Sequence, residues 1–398
     1  MRRSLLLSLI LAGSAVTGAE ISTGARIEIR ITTAIKLATA KVNDPVDAVV
    51  IVPVLAANRV VIAAGTNVHG EIKEVTQALK PEDQAIVQIQ FDQIVSARGQ
   101  KATLNARLIS VDNARESVDE QGRILGIIAA QTGSGRLDEG IQKVAERYPV
   151  LGEILGAAKG AVLKEADASI DYEPGVEMTI ELTRPLRWEE TAASATPRSI
   201  TPADQLADIV NRQPMRTVAE NPATLSDTTN IMFLGSREQL EYAFQNAGWS
   251  SAEKLNAKSK LETFRALAEA RGYKEAPVSV LLLDGRPPDL VFQKQNNTFA
   301  RRHHLRIWRR PGTFNGKEVW VCAATHDIGI DFSQRDRTFI HRVDAEIDRE
   351  RSKVTSDLLF TGRLQAVALV DRPNAPKSGQ NATGDAFQTD GRMAVLEF

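Results

Sequence analysis

Cysteine is almost missing from this chain of 398 residues: Cys322 stands alone. A single thiol cannot close an internal disulfide, so stability has to come from packed cores. On the strand Val319 to Ala324 that cysteine reads as a small buried residue rather than a nucleophile. Excess charge of one sign is also missing. The net charge is −1, so no global basic field draws the chain onto nucleic acid, and cation-driven binding must come from a local patch. Beyond the first twenty residues no apolar run approaches the length of a transmembrane helix. Two short catalytic signatures are absent as well. No G-x-S-x-G surrounds Ser236, and no H-x-x-x-H or H-x-H joins any two of the five histidines.

What is present begins with an export signal. Arg2 and Arg3 supply a charged start, and Leu5 to Ala12 with Ala15 and Val16 an apolar stretch. Thr17-Gly18-Ala19 offers small residues for cleavage before Glu20. Residues 1–19 are therefore expected to be a signal peptide, which places the mature chain in the periplasm or outside the cell. The chain as a whole is 43% hydrophobic and 25% charged, an ordinary globular composition long enough for two or three domains.

Residues 20–188 read as a β-rich domain. Ile27, Ile29 and Ile31 alternate with Arg26, Glu28 and Arg30, and Val87, Ile89 and Phe91 with Ile86, Gln88 and Gln90. Gly65 and Gly70 mark turn or bulge points in "VVIAAGTNVHGEI". Between 121 and 168 the period becomes helical. Gly122 and Gly126, then Gly152, Gly156 and Gly160, recur every fourth residue, which lets backbones approach closely. A helical hairpin that meets a membrane or another subunit is one reading, and a close-packed hairpin inside a soluble fold the other. Glu153, Lys159 and Lys164 favour the second. Then "YEPGVEMTIELTRPL" returns to strand, turning at Pro174-Gly175 with Met178, Ile180 and Leu182 on one face. The expected architecture is an antiparallel β barrel or sandwich with a helical insert. "VVIAAGTNVHGEI", the alternating strand pair, the Gly/Ala-rich insert and the closing "YEPGVEMTIELTRPL" together resemble the β-barrel domain of TrbI-like conjugation-channel proteins over Thr32 to Leu186. That resemblance implies a shared fold and raises the idea of a channel-like structural subunit.

Residues 189–226, rich in Ala, Thr, Pro and Ser, read as a linker with a short helix at Pro202 to Asn211. Residues 227–398 read as an α+β domain with helices on a mostly antiparallel sheet. Ser236 and Gln239 form a capping box for a helix ending at Gly248. Ser251 to Arg271 is expected to be a long helix, and Asp344 to Leu359 another, with Ile347, Val354 and Leu358 buried. The polar segment "PNAPKSGQNATGDAFQTDG" reads as a mobile loop.

Four of the five histidines lie between His303 and His341. On "RRHHLRIWRR" side chains alternate. Arg302, His304, Arg306, Trp308 and Arg310 share one face; His303, Leu305 and Ile307 share the other. The first face suits an anionic ligand, with guanidinium forks for phosphate or carboxylate, His304 as donor and Trp308 as stacking surface. A second chemistry uses His304, His326 and His341 as ligands to one divalent metal, with Asp327 or Asp344 as ligand or general base. In that scheme His326, Asp327 and Asp344 are the catalytic candidates. A purely structural account stands beside both. Asp344 caps the following helix, Arg349 and Arg351 pair with nearby acids, His303 is a hydrogen-bonded core histidine, and the arginines protect a sheet edge.

"DTTNIMFLGSREQLEYAFQNAGW", "APVSVLLLDGRPPDLVFQK", "RRHHLRIW", "VWVCAATHDIGID" and "IHRVDAEIDRER" occur in this order. Over Asp227 to Val370 they resemble the C-terminal domain of LssY-type bacterial proteins. The resemblance implies an envelope location, with an anionic lipid or glycan as ligand, and carries no catalytic roles. The expectation is thus an exported envelope protein, a binding or assembly module with a basic anion site in its second domain. The alternatives are a metal-assisted hydrolase of phosphoesters or lipid esters, and a secretion-channel-like structural subunit.

Overall fold

A computed structural model of the chain describes residues 19–56, 59–163, 166–188, 198–220, 223–251, 280–294, 301–333 and 338–398. The expected export signal and the helix expected over 251–271 lie outside the described residues.

The first domain is one nearly closed, barrel-like antiparallel sheet. In order across the sheet its strands are Ala106–Val111, Glu177–Leu182, Arg26–Ile31, Pro45–Val50, Asn67–Thr76, Ile86–Val95, Arg123–Leu125 and Ser117–Val118. The inward rows are the predicted ones. Ile27, Ile29 and Ile31 are wholly enclosed, as are Val87 and Ile180, with Ile89, Phe91, Met178 and Leu182 nearly so. Burying a row of such side chains removes apolar surface from water at about 25 cal/mol per Å², which drives closure. Gly65 turns at φ +85°. Gly70 sits at a register shift in the strand pair, where a Cβ would lie 2.4 Å from the Gln90 carbonyl oxygen. A bulge that brings two backbones this close admits only glycine.

The helical insert is shorter than expected: α1 spans Gly133–Arg147 and α2 spans Pro149–Val162. Gly122 lies outside it, at φ +78° between two short paired strands. Its fourfold spacing with Gly126 belongs to turn chemistry rather than to a helix face.

The second domain is built on a mixed sheet. Its order is Arg198–Ser199, Ala366–Asp371, Arg392–Glu397, Ile231–Leu234, Lys317–Ser333, Arg302–Phe314, Leu290–Lys294 and Trp249–Ser251, with Thr338–Val343 also paired to Lys317–Ser333. Two pairings are parallel and the rest antiparallel. Helix α3 (Ala203–Asn211) buries Leu206 and Val210 on one face; α4 (Arg237–Asn246) and α5 (Ile347–Phe360) pack Leu240, Phe244, Val354 and Leu358 on the other. The capping box is present: Ser236 accepts from the Gln239 amide, and Gln239 Oε1 accepts from the Ser236 amide. Within the expected linker the short helix is present as α3, Ala203–Asn211, and it packs on this sheet, to which Arg198–Ser199 adds a strand. Their buried apolar residues, Ile200, Leu206 and Val210, outweigh the loop-like composition around them. The segment expected to be a mobile loop contains a paired hairpin, Ser378–Gln380 with Ala386–Gln388. Among the described residues no helix is long and apolar enough to cross a membrane.

Candidate functional site

Strand register decides what the histidine-rich stretch can do. Arg302 lies opposite Asp327, His303 opposite His326, and His304 opposite Thr325. The alternation read from the sequence therefore holds, but it sorts the histidines differently from the expected metal set. His304 and His326 are on opposite faces of the sheet, so they cannot share an ion. His304 is hydrogen-bonded to the Thr325 hydroxyl through Nε2 at 3.0 Å. His341 pairs its backbone with Ile330, and its side chain lies outside what the structure describes.

The expected anion face is an internal ion-pair array. Arg302 donates from Nε and Nη2 to Asp327 Oδ2 at 3.2 and 3.1 Å, and Arg306 from Nη1 to Asp227 Oδ2 at 3.1 Å. Arg310 donates to Asp284 at 2.6 Å and to Gln213 at 3.0 Å. Arg302, His304 and Arg306 are buried, and so is Trp308, whose indole N–H donates to the Arg286 carbonyl at 3.0 Å. Each guanidinium fork faces a carboxylate of its own chain, and the indole has no open face to stack on a ligand. These residues do not form an open anion site. Burial raises the pKa of Asp327 to about 6 despite Arg302, and raises that of Asp227 despite Arg306. Asp344 is not the helix cap. Glu346 holds that position, and the Asp344 carboxylate accepts from the Glu346 amide at 3.0 Å. Arg351 pairs with acids as expected, reaching Asp390 at 2.8 Å through two nitrogens.

The other face carries a cluster that crosses between the domains. The His303 and His326 rings stack with centroids 4.0 Å apart and planes at 17°. His303 donates from Nδ1 to Glu350 of α5 at 2.7 Å, and its Nε2 lies 3.2 Å from both oxygens of Asp112. His326 Nε2 bonds Asn113 Oδ1 at 2.9 Å. Asp112 and Asn113 belong to the first domain, in the turn after strand Ala106–Val111, where Asn113 has φ +53°. Burial alone would lower the His303 pKa, but Glu350 and Asp112 outweigh it and hold it at about 10. Burial lowers His326 to about 3, helped by the charge on His303. Burial likewise raises Glu350, against the pull of His303.

A second set of buried charges adjoins it. Glu177 of the first domain accepts from Arg30 at 2.6 Å, from Lys294 at 2.8 Å, and from Lys353. Asp357 of α5 accepts from Lys353 and the Trp249 indole, both at 2.9 Å, and pairs with Lys294 at 3.0 Å. Burial opposes ionisation of Glu177, but the three cations hold its pKa well below the carboxylate range. A cleft of about 120 Å³ opens beside these charges, lined by Asp112, Asn113, Asp171, Glu173, Glu177 and Lys294 among others.

Sequence reasoning pointed to His326 but assigned His303 to the core and missed Glu350, Asp112 and Asn113. Glu350 left a trace: it falls on the Ile347, Val354, Leu358 stripe, where an acid has no reason to be unless something pairs with it. An Asp-Asn pair after a strand reads simply as a turn, and nothing in its spacing points 190 residues away.

Residues 210–393 match the family model of the LssY C-terminus. The second domain is LssY-like, as its ordered motifs implied. Curated proteins offered no match to the chain. In this LssY domain the histidine strand, its partner strand and α5 all fall inside the matched region, whereas Asp112, Asn113 and Glu177 come from the β-rich domain that precedes it.

Proposed function

We propose that the chain is an exported envelope protein that works as a binding and assembly module, with a second copy of itself seated on α2. The observation that carries this is the exposed apolar face of that helix. Val150, Leu151, Ile154 and Leu155 project from it into solvent, together with Tyr148 at the hairpin turn. These are positions i, i+1, i+4 and i+5, one continuous stripe on a helix roughly 21 Å long. Apolar stripes of this kind mark interaction sites.

The chemistry of the hairpin favours a copy of itself over a lipid surface. Arg136, Lys143, Arg147 and Lys159 are balanced by Asp138, Glu139, Glu146 and Glu153, so nothing draws it to anionic headgroups. Lys159 is already paired with Asp138 at 2.7 Å. Gly152 is used within the hairpin, where a Cβ would lie 2.3 Å from that of Ala145, while Gly156 and Gly160 meet nothing within 4 Å. An apolar stripe on a hairpin without net charge is suited to meet its own twofold mate. The resemblance of the first half to channel-forming β domains supports an assembling role.

Light scattering on the mature chain tests this. At about 50 μM, above a dimer Kd on the order of 1 μM, the wild type should be dimeric or larger, and Ile154→Lys should be a folded monomer. A wild type that is monomeric at that concentration would sink the proposal. So would flotation with neutral phosphatidylcholine vesicles that Ile154→Lys abolishes, which would make the occupant a membrane.

A further inference from the structure

The histidine pair at the domain junction has a donor set that the structural account of it leaves unexplained. One nitrogen from His303, one from His326 and one carboxylate oxygen from Glu350 all lie within 4.8 Å of one another. The two imidazoles come from adjacent strands and the carboxylate from the helix above them, so no loop has to move to bring them together. Glu350 is 2% exposed. Its Oε2 accepts from His303, but its Oε1 has no hydrogen-bond partner among the described residues. A buried carboxylate oxygen without a donor is costly. A cation placed between it and the two rings would satisfy it.

The surroundings match what ligating histidines require. A histidine that binds a metal through one nitrogen donates the N–H of the other to a carboxylate or carbonyl, which fixes the tautomer and aims the ring. Here Nε2 of His303 faces the Asp112 carboxylate, and Nε2 of His326 faces the Asn113 amide oxygen. Two consecutive residues of the first domain thus hold both Nε2 atoms, so each ring turns its Nδ1 away from that domain, that of His303 toward Glu350, whose shared proton the ion would replace.

We propose that His303, His326 and Glu350 bind one divalent cation of the zinc class, with Asp112 and Asn113 of the β-rich domain orienting the two imidazoles. Two neutral nitrogens and one carboxylate suit zinc and its neighbours better than calcium or magnesium, which favour all-oxygen sets. Zinc bonds of about 2.0–2.1 Å put donor atoms roughly 3.3 Å apart, so the three side chains need close only modestly. Three protein ligands leave a fourth position, the arrangement of an open rather than a purely structural zinc site. Because the ligands belong to the LssY domain and their supports to the first domain, binding would also draw the two domains together.

The test uses the mature full-length chain, stripped with chelator, dialysed, and titrated with zinc chloride. Bound metal is measured by elemental analysis and affinity by calorimetry, with cobalt(II) absorption reporting coordination. One zinc per chain is expected, with intense d–d bands for the cobalt form. His326→Ala should abolish binding. Asn113→Gly tolerates the positive φ and removes the side-chain amide that holds His326, so it should keep the fold and weaken binding about 10–100-fold. Wild-type protein that takes up neither zinc nor cobalt overturns the proposal. So does stoichiometric binding that both variants retain, which would put the ion elsewhere.

Discussion

His303 and His326 stack face to face 4.0 Å apart on neighbouring strands, yet their surroundings hold them in opposite protonation states. His303 lies between two carboxylates, one from each domain, and they keep it charged up to about pH 10. His326 meets an amide oxygen instead, and burial beside a charged ring keeps it neutral down to about pH 3. One ring supplies the charge that prevents its neighbour from taking one.

This asymmetry gives the chelator-treated protein a two-sided pH dependence. An unfolded histidine titrates near 6.5. Between that value and about 3 the unfolded chain binds the His326 proton and the folded chain does not, so acidification drains stability. Between 6.5 and about 10 the folded chain holds the His303 proton and the unfolded chain does not, so stability is lost as pH rises through that window. Urea midpoints measured across pH should flatten on the acid side in His326→Gln and on the alkaline side in His303→Gln. An unchanged acid limb in His326→Gln would show that other groups set it.

Glu177 is the residue on which three cations converge: Arg30 from its own domain, and Lys294 and Lys353 from the LssY domain. Glu177→Gln leaves those cations with Asp357 alone among the two carboxylates they share. Breaking a buried ion pair by removing one partner costs about 3–5 kcal/mol. Chemical denaturation of the variant should show a loss of that order. A loss below about 1 kcal/mol, the value of an exposed pair, would mean that the junction is open to water.

The arginine face makes a contrasting prediction. Arg306 is buried against Asp227 at 3.1 Å, so Arg306→Ala strands a carboxylate whose pKa burial already raises. The variant should lose about 3–5 kcal/mol of stability. Added phosphate should stabilise neither it nor the wild type. A phosphate-dependent rise in the wild-type melting temperature that the variant lacks would restore the anion-binding reading.

Much of this fold was legible because alternation is a local signal. Ile27, Ile29 and Ile31, or Leu305 and Ile307, declare their inward faces within six residues, and Ser236 with Gln239 declares a helix start within four. The face opposite was less legible. Arg30 and Glu177 alternate away from the barrel core just as a solvated residue would, and only the docking of a second domain buries them. The same limit explains the site. The sequence can place His303 and His304 on opposite faces, but which face meets Glu350 and Asp112 is set by packing over 47 and 191 residues of separation. The expected His304, His326, His341 set took closeness in sequence for closeness in space, and strand register separates its first two members.

Cys322 offers a probe of how far the two domains depend on each other. It is fully buried in the strand that pairs with both Ile231–Leu234 and Arg302–Phe314. Burial pushes its thiol pKa well up, so it should react with a thiol reagent only when that sheet opens. Labelling of the folded chain then reports the opening equilibrium, provided that closing is faster than reaction. If the buried charges at the junction hold the LssY sheet closed, Glu177→Gln should speed labelling roughly a hundredfold or more, since about 1.4 kcal/mol is a tenfold change. Glu177 lies in the other domain and touches Cys322 through nothing direct. Labelling at the wild-type rate in a Glu177→Gln chain that denaturation shows to be destabilised would mean that the sheet opens independently of the junction, and the two domains would then have to be treated as separate folding units.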